Sequence, residues 1–371
     1  MRNIPQRLKQ IRQSLGLKLK EAARMAGFRD FQTLSKIETG KRSIKAEELI
    51  ALAKAYSFDV NFFLGDKIET AQHKIHWRAE ERPSNTKITE SKLKMYFDRY
   101  LRLQEILGYK EKKQRLFEIT QPIESIDEAT EYGEKYSYDL KLGDRPALSL
   151  STILEEKCNL PIFYFKLPKG TSALSLISNG RAAICVNYLD APWRRNFDIA
   201  HEIFHIIYKY AHPMTCGKSD NLIQEKFANA FASAFLLPKD SLFKDIKRRK
   251  SKGQITLNDL MILACEYEVS LAALLWRLVN LEKLDRKNAD KILSSSGVKE
   301  YNKQIRKSKS RKTPHISQKY LCMVFEAVSR GLMSKMRAAE YLGVGVIELE
   351  EIFLKAGLTM QEESDFEIPI A

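Results

Sequence analysis

Apolar positions recur every three to four residues through the first 66 residues, and this spacing predicts five short helices. They run Arg7–Leu15 with Leu8, Ile11 and Leu15 inward, Leu19–Ala26 ending at Gly27, Phe31–Glu38, Lys45–Tyr56, and a last turn Val60–Leu64. The same period returns from about Glu90 to Leu107 through Leu93, Tyr96, Tyr100, Leu103 and Leu107, with Gly108 as its stop. After a helical stretch at 144–160, the pattern changes. Leu160–Lys166 is dense in aromatic and β-branched residues and predicts a strand. Ala173–Ile177 and Ala182–Asn187 predict two more, with Ser178-Asn179-Gly180 as a hairpin turn between them. Helical spacing resumes in Phe197, Ala200, Phe204 and Ile207, then in 224–237 up to Pro238, in Leu257–Tyr267 and Ser270–Leu278, and finally in Tyr320–Gly357. The expected fold is mainly α with a small β-sheet, an α+β protein. Its expected divisions are a five-helix bundle (1–66), a helical connector (67–143), a sheet-containing domain with a helical extension (144–285), a basic linker (286–315) and a small helical C-terminal unit (316–371).

One of these helices carries chemistry. His201-Glu202-Ile203-Phe204-His205 reads H-E-x-x-H. Residues i and i+4 stack on one helical face, so both imidazoles can point at one ion. Glu202, rotated away from them, can reach a water on that ion without binding it. This is a zinc-hydrolase signature: zinc (Zn2+) brings the pKa of a bound water towards roughly 7, and the glutamate takes the proton as hydroxide attacks a carbonyl. The helix at 224–237 is small and apolar on one side and can approach closely. Glu225 near its start completes a His2Glu ligand set and leaves a fourth position for water. Taken alone, Glu225 reads as a solvated surface carboxylate, but its spacing from H-E-x-x-H and the A-N-x-F-A and L-L-P that follow favour the ligand, ahead of Cys216. Tyr208, Tyr210 and His212 are candidates for polarising a developing oxyanion.

The motif H-E-x-x-H followed by E-x-x-A-N-x-F-A-x-x-x-L-x-P resembles the ImmA/IrrE metallopeptidases. The upstream segment fits as well: Ala182–Asn187, then Pro192-Trp193-Arg194-Arg195-Asn196-Phe197-Asp198-Ile199-Ala200. The resemblance covers about residues 145–240. It implies a minimal zincin-like domain and, as substrate, a DNA-binding repressor. Ile203-Phe204 departs from the small residue often found before the second histidine, a packing change that leaves the chemistry alone. The short sheet just before the metal helix suits a peptidase, because an extended substrate can pair with an exposed edge strand.

Two short helices joined by a tight turn within a basic bundle make the helix-turn-helix arrangement. Leu19-Lys20-Glu21-Ala22-Ala23, Gly27, Leu34–Arg42 and Leu49–Tyr56 resemble the XRE (Cro/C1-type) family. The turn Phe28–Phe31 is one residue longer than usual in that family, a departure that bears on the angle of the third helix. Asp30 is expected to cap the third helix. Gln32, Thr33 and Lys36 are the expected base-edge contacts, with Arg29, Lys41 and Arg42 on phosphates. The C-terminal unit also has a helix-turn-helix pattern, Leu332–Val344 followed by Ile347–Ile352. Its second helix is acidic, which points to a protein contact rather than a phosphate contact.

Charge supports a nucleic-acid partner. The chain has 62 Lys+Arg against 47 Asp+Glu, net +15, and residues 1–66 alone have thirteen Lys/Arg against seven Asp/Glu, net +6. Five cysteines without a C-x-x-C spacing suggest a reducing compartment. No signal peptide and no spanning apolar run are evident, so a cytoplasmic protein without membrane association is expected. The combined expectation is a DNA-binding transcriptional regulator with a zinc-dependent endopeptidase domain. Its ligands are His201, His205 and Glu225, its base is Glu202, and its substrate is a repressor- or antitoxin-like protein or the chain itself, cut within 67–90. A homodimer on paired half-sites is the default assembly. The competing reading is a non-catalytic DNA-binding regulator or antitoxin whose metal domain senses a ligand or docks a partner. The retained Glu202 favours the enzyme.

Overall fold

The computed structural model describes residues 4–56, 60, 63, 74–77, 86–109, 114, 116, 119, 121–178, 180–211, 218–250, 254–298, 300 and 316–359. The chain forms α1 (Ile4–Ser14), α2 (Leu19–Met25), α3 (Phe31–Glu38), α4 (Ala46–Tyr56), β1 (Lys74–Trp77), α5 (Thr86–Ile106), α6 (Ile126–Asp139), α7 (Pro146–Glu156), β2 (Ile162–Phe165), β3 (Ala173–Ser178) and β4 (Arg181–Asn187). Helices α8 (Pro192–Ala211), α9 (Lys218–Leu236), α10 (Lys239–Arg249), α11 (Leu257–Glu266), α12 (Leu271–Asn280) and α13 (Arg286–Ser294) follow. The last three are α14 (Gln318–Ser329), α15 (Lys335–Leu342) and α16 (Val346–Lys355). The fold is mainly helical with one small sheet, as the hydrophobic periods predict. The residues fall into two compact units: 1–72, 84–112 and 316–371 form one, and 73–83 with 113–315 the other.

In the first unit, Leu8, Ile11, Leu15, Ala22, Ala23, Leu34, Ile37, Leu49, Leu52, Ala53 and Tyr56 make one core. Arg12 on α1 donates to both carboxylate oxygens of buried Glu38 on α3, at 2.7 and 2.9 Å. It also donates to the Leu17 carbonyl at 2.8 Å. These bonds lock α3 to α1. The stretch 67–143, expected as a connector, is shared between both units. Helix α5 packs against the C-terminal helices: Tyr100 stacks on Tyr320, and Arg99 donates to the Glu340 carbonyl and carboxylate. Gly343 caps α15 at φ 70°, where a Cβ would lie 2.4 Å from the Tyr96 hydroxyl, so both backbone conformation and space call for glycine.

In the second unit a four-stranded sheet has the order β1-β3-β4-β2. β3 and β4 form the predicted antiparallel hairpin, and β2 runs parallel to β4. One face, with Ile162, Ala173, Ala182, Ile184 and Val186, joins the core of Ile199, Ala200, Ile203, Ile206 and Ile207 from α8. α9 packs between α8 and α6. The α6–α9 contact is close: a Cβ on Gly133 would meet the Phe231 carbonyl oxygen at 2.5 Å. The acidic segment 124–134 therefore becomes a helix, started by Ser125 accepting from the Glu128 amide, and supports the helix that carries Glu225.

Candidate metal centre

Pro192 opens α8, where its fixed φ suits the first turn and its missing N–H costs nothing. The helix then turns one face to the sheet and another to α9. His201, Glu202 and His205 are all buried on it. From α9, Glu225 and Asn229 lie one turn apart and meet the histidines. His201 Nε2 is 3.0 Å from His205 Nε2 and 3.2 Å from Glu225 Oε2, and His205 Nε2 is 3.1 Å from Glu225 Oε1. Glu225 is half-buried, so the centre opens to solvent on its side.

This triangle fits a tetrahedral ion. Bonds of about 2.0–2.1 Å to nitrogen and oxygen set ligand atoms roughly 3.3 Å apart. The two imidazole nitrogens here stand 3.0 Å apart, and each faces its own oxygen of the Glu225 carboxylate, His201 at 3.2 Å and His205 at 3.1 Å. The second shell agrees. His201 Nδ1 lies 3.1 Å from Asn229 Oδ1, and a proton on Nδ1 donated to that oxygen leaves the Nε2 lone pair for an ion. Burial on its own would raise the Glu225 pKa. Hydrogen bonds and charge from His201 and His205 outweigh it and hold the carboxyl well below the usual range. The anion is thus the state the site favours.

Aromatic packing stiffens the pair of helices. Phe204 stands edge-on to His205 at 5.7 Å and contacts Phe231 of α9 at 5.6 Å. Tyr208, an oxyanion candidate, stacks its ring on Phe204 at 5.4 Å. The side chains of Tyr210 and His212, and Cys216, lie outside the described residues, as do most of the 67–90 cleavage region and the basic run at 303–312. Sequence reasoning assigned no role to Asn229. Its signal was its place four residues after Glu225, on the same helical face.

The other expected site lies on α3. Asp30 caps the helix by accepting the Thr33 amide at 2.8 Å. Arg29, Gln32, Lys36 and Lys41 are exposed, and Thr33 and Arg42 are half-buried. Thr33 also leans on Asp30, and Arg42 donates to Glu48 Oε1 at 2.8 Å, so these two are less available to DNA. Leu34, Ile37 and Glu38 face inward, which leaves Gln32 and Lys36 on the outer face.

Comparison with protein families covers both stretches of the chain. Residues 8–63 match the helix-turn-helix family, and residues 155–279 match the IrrE N-terminal-like domain of the M78 peptidases. No curated protein and no solved structure matches the chain. Among the described residues no helix is long and apolar enough to cross a membrane.

Proposed function

We propose that this chain, a helix-turn-helix domain followed by an ImmA/IrrE-type metallopeptidase domain, is a DNA-binding transcriptional regulator that is also a zinc-dependent endopeptidase. The observation that carries the reading is the triangle of His201, His205 and Glu225, sized and charged for one divalent ion. Its substrate is a repressor- or antitoxin-like protein, or the chain itself. Its place is the cytoplasm, where it binds operator DNA as a homodimer.

His201, His205 and Glu225 would hold the metal, with Asn229 fixing the His201 tautomer. Zinc bound there supplies Lewis acidity, which makes a water easier to deprotonate and a peptide carbonyl easier to attack. Glu202 is the general base. It follows His201 on α8, a rotation of about 100° away from the ligand face, and it is almost wholly buried, so its carboxylate has little solvent to compete with the water. It accepts the proton as the carbonyl is attacked and returns it to the leaving amine. On α3, Gln32, Thr33 and Lys36 read base edges, while Arg29, Lys41 and Arg42 contact phosphates.

The test pairs metal analysis with intact mass for wild type and Glu202→Gln. The expected result is about one zinc per chain in both proteins, with zinc-dependent cleavage of a substrate or of the chain in wild type alone. Zinc binding without cleavage of any co-expressed repressor would favour the non-catalytic sensor. Absence of zinc binding would reject the metal centre.

A further inference from the structure

The sheet beside the metal helix does not end at β3. Lys74–Trp77 pairs with it antiparallel in unbroken register, Lys74 opposite Ile177, Ile75 opposite Leu176, His76 opposite Ser175 and Trp77 opposite Leu174. Among the strands, helix α8 packs against β3 and β4. With β1 set aside, β3 is the sheet edge that lies beside α8, and β2 lies on the far side of β4. An extended polypeptide reaching the metal centre by main-chain pairing would take the position that β1 holds.

We infer that Lys74–Trp77 occupies from within the chain the strand position of an extended substrate, so that the peptidase edge is filled until this segment leaves. The inference rests on the peptidase reading above and adds a regulation of that site. Three observations carry it. The pairing is backbone to backbone, so another polypeptide of suitable length can make the same bonds whatever its sequence. The β3–β4 hairpin pairs over six residues from Ala173 to Ser178 without β1 and closes its own core with α8. β3 would then be left as an edge strand with unpaired N–H and C=O groups, ready to accept a replacement.

The third observation is the route of the chain. Residues 73–83 belong to the peptidase unit, whereas 1–72 and 84–112 on either side belong to the helix-turn-helix unit. Of that stretch the described residues are 74–77, the four that pair with β3. A strand of four residues bonded along one side gains only a few hydrogen bonds, each a small net gain over bonding to water. Its hold depends on high local concentration, which a longer substrate strand can overcome.

The experiment uses the full chain with Glu202→Gln, so that nothing is cut. It compares this protein with one that also carries Lys74→Pro, Ile75→Pro, His76→Pro and Trp77→Pro, which removes the main-chain N–H donors of the strand. The probe is a fluorescein-labelled peptide with the sequence of residues 72–79. The replaced chain is expected to bind the probe about tenfold or more tightly than the unreplaced one. Hydrogen exchange at residues 174–177 should speed up on replacement and slow again with the probe, while α8 and α9 exchange unchanged. Equal binding by both proteins, binding by neither, or faster exchange throughout α8 would overturn the inference. Zinc-dependent cleavage of labelled casein by the two chains with Glu202 intact is read separately. Faster cleavage by the replaced chain supports occlusion, and equal cleavage overturns it. Cleavage by neither, with probe bound by the replaced chain, strikes the peptidase reading while supporting β1 as the occupant of a peptide-binding edge.

Discussion

His201 and Asn229 stand on different helices with Nδ1 and Oδ1 3.1 Å apart, and this contact sets which nitrogen of His201 faces the centre. Without it the imidazole can flip or take the other tautomer. Asn229→Leu is expected to lower zinc affinity about 10- to 100-fold, measured by competition with a chromogenic chelator. Asn229→Asp, which keeps the acceptor, should recover most of it. Equal affinity in all three proteins would mean that Asn229 does not orient the ligand.

Gly133 sets the distance between α6 and α9. Gly133→Ala puts a Cβ against the Phe231 carbonyl, and backbone cannot yield as a flexible side chain can. The helices must separate, at a cost of roughly 1–3 kcal/mol. Urea unfolding should show this loss, with weaker zinc binding, because α9 carries Glu225 and Asn229. Gly27→Ala, by contrast, meets no neighbour and strains only its own backbone at φ +75°.

Glu38→Ala removes the carboxylate that receives both Arg12 bonds and leaves a guanidinium buried with only the Leu17 carbonyl. Loss of one partner of a buried pair costs about 3–5 kcal/mol. Thermal unfolding of the helix-turn-helix unit should fall accordingly, and operator binding with it, since α3 loses its anchor. A change under about 0.5 kcal/mol would show that the pair is not structural.

DNA contacts separate by salt and by sequence. Lys41→Ala should weaken binding evenly across sequences and reduce the slope of log K against log salt by about 1. Gln32→Ala should instead relax preference at one base pair with the slope unchanged. Arg42→Ala is expected to do less than Lys41→Ala to the slope, because Arg42 already pairs with Glu48.

Asp245 is one carboxyl that ties stability to pH. Burial tends to raise its pKa, but bonds from Arg145 and the Tyr267 hydroxyl prevail and hold it below the usual value. A carboxyl depressed in the folded state stabilises fully above its unfolded pKa of about 3.9. That stabilisation is lost as pH falls through the lower folded value. Asp245→Asn should cost roughly 1–3 kcal/mol at pH 7 and flatten the decline in stability below about pH 4. An unchanged acid limb in the variant would remove Asp245 from the account.

Helices were legible in the sequence wherever an apolar stripe persists for two turns or more. The four helices of the helix-turn-helix core, the Asp30 cap, the β3–β4 hairpin and the stacking of His201 under His205 all depend on residues within a few positions of each other. Periods of 3.6 and 2 are local properties, and local geometry carries them into the fold. Glu225 stood out only through its motif, because its meeting with the histidines depends on how two helices pack.

Tertiary structure decided the rest. Lys74–Trp77 is too short to show a period, and it becomes a strand because β3 has an unsatisfied edge to offer. The acidic segment 124–134 shows nothing of its role until Gly133 lets α6 touch α9. Asn229 acquires a function only when His201 is 3.1 Å away. Arg12 and Glu38, ordinary charges in sequence, become a buried pair across 26 positions. Contacts between distant segments depend on which surfaces close on each other, and only the folded chain selects among them.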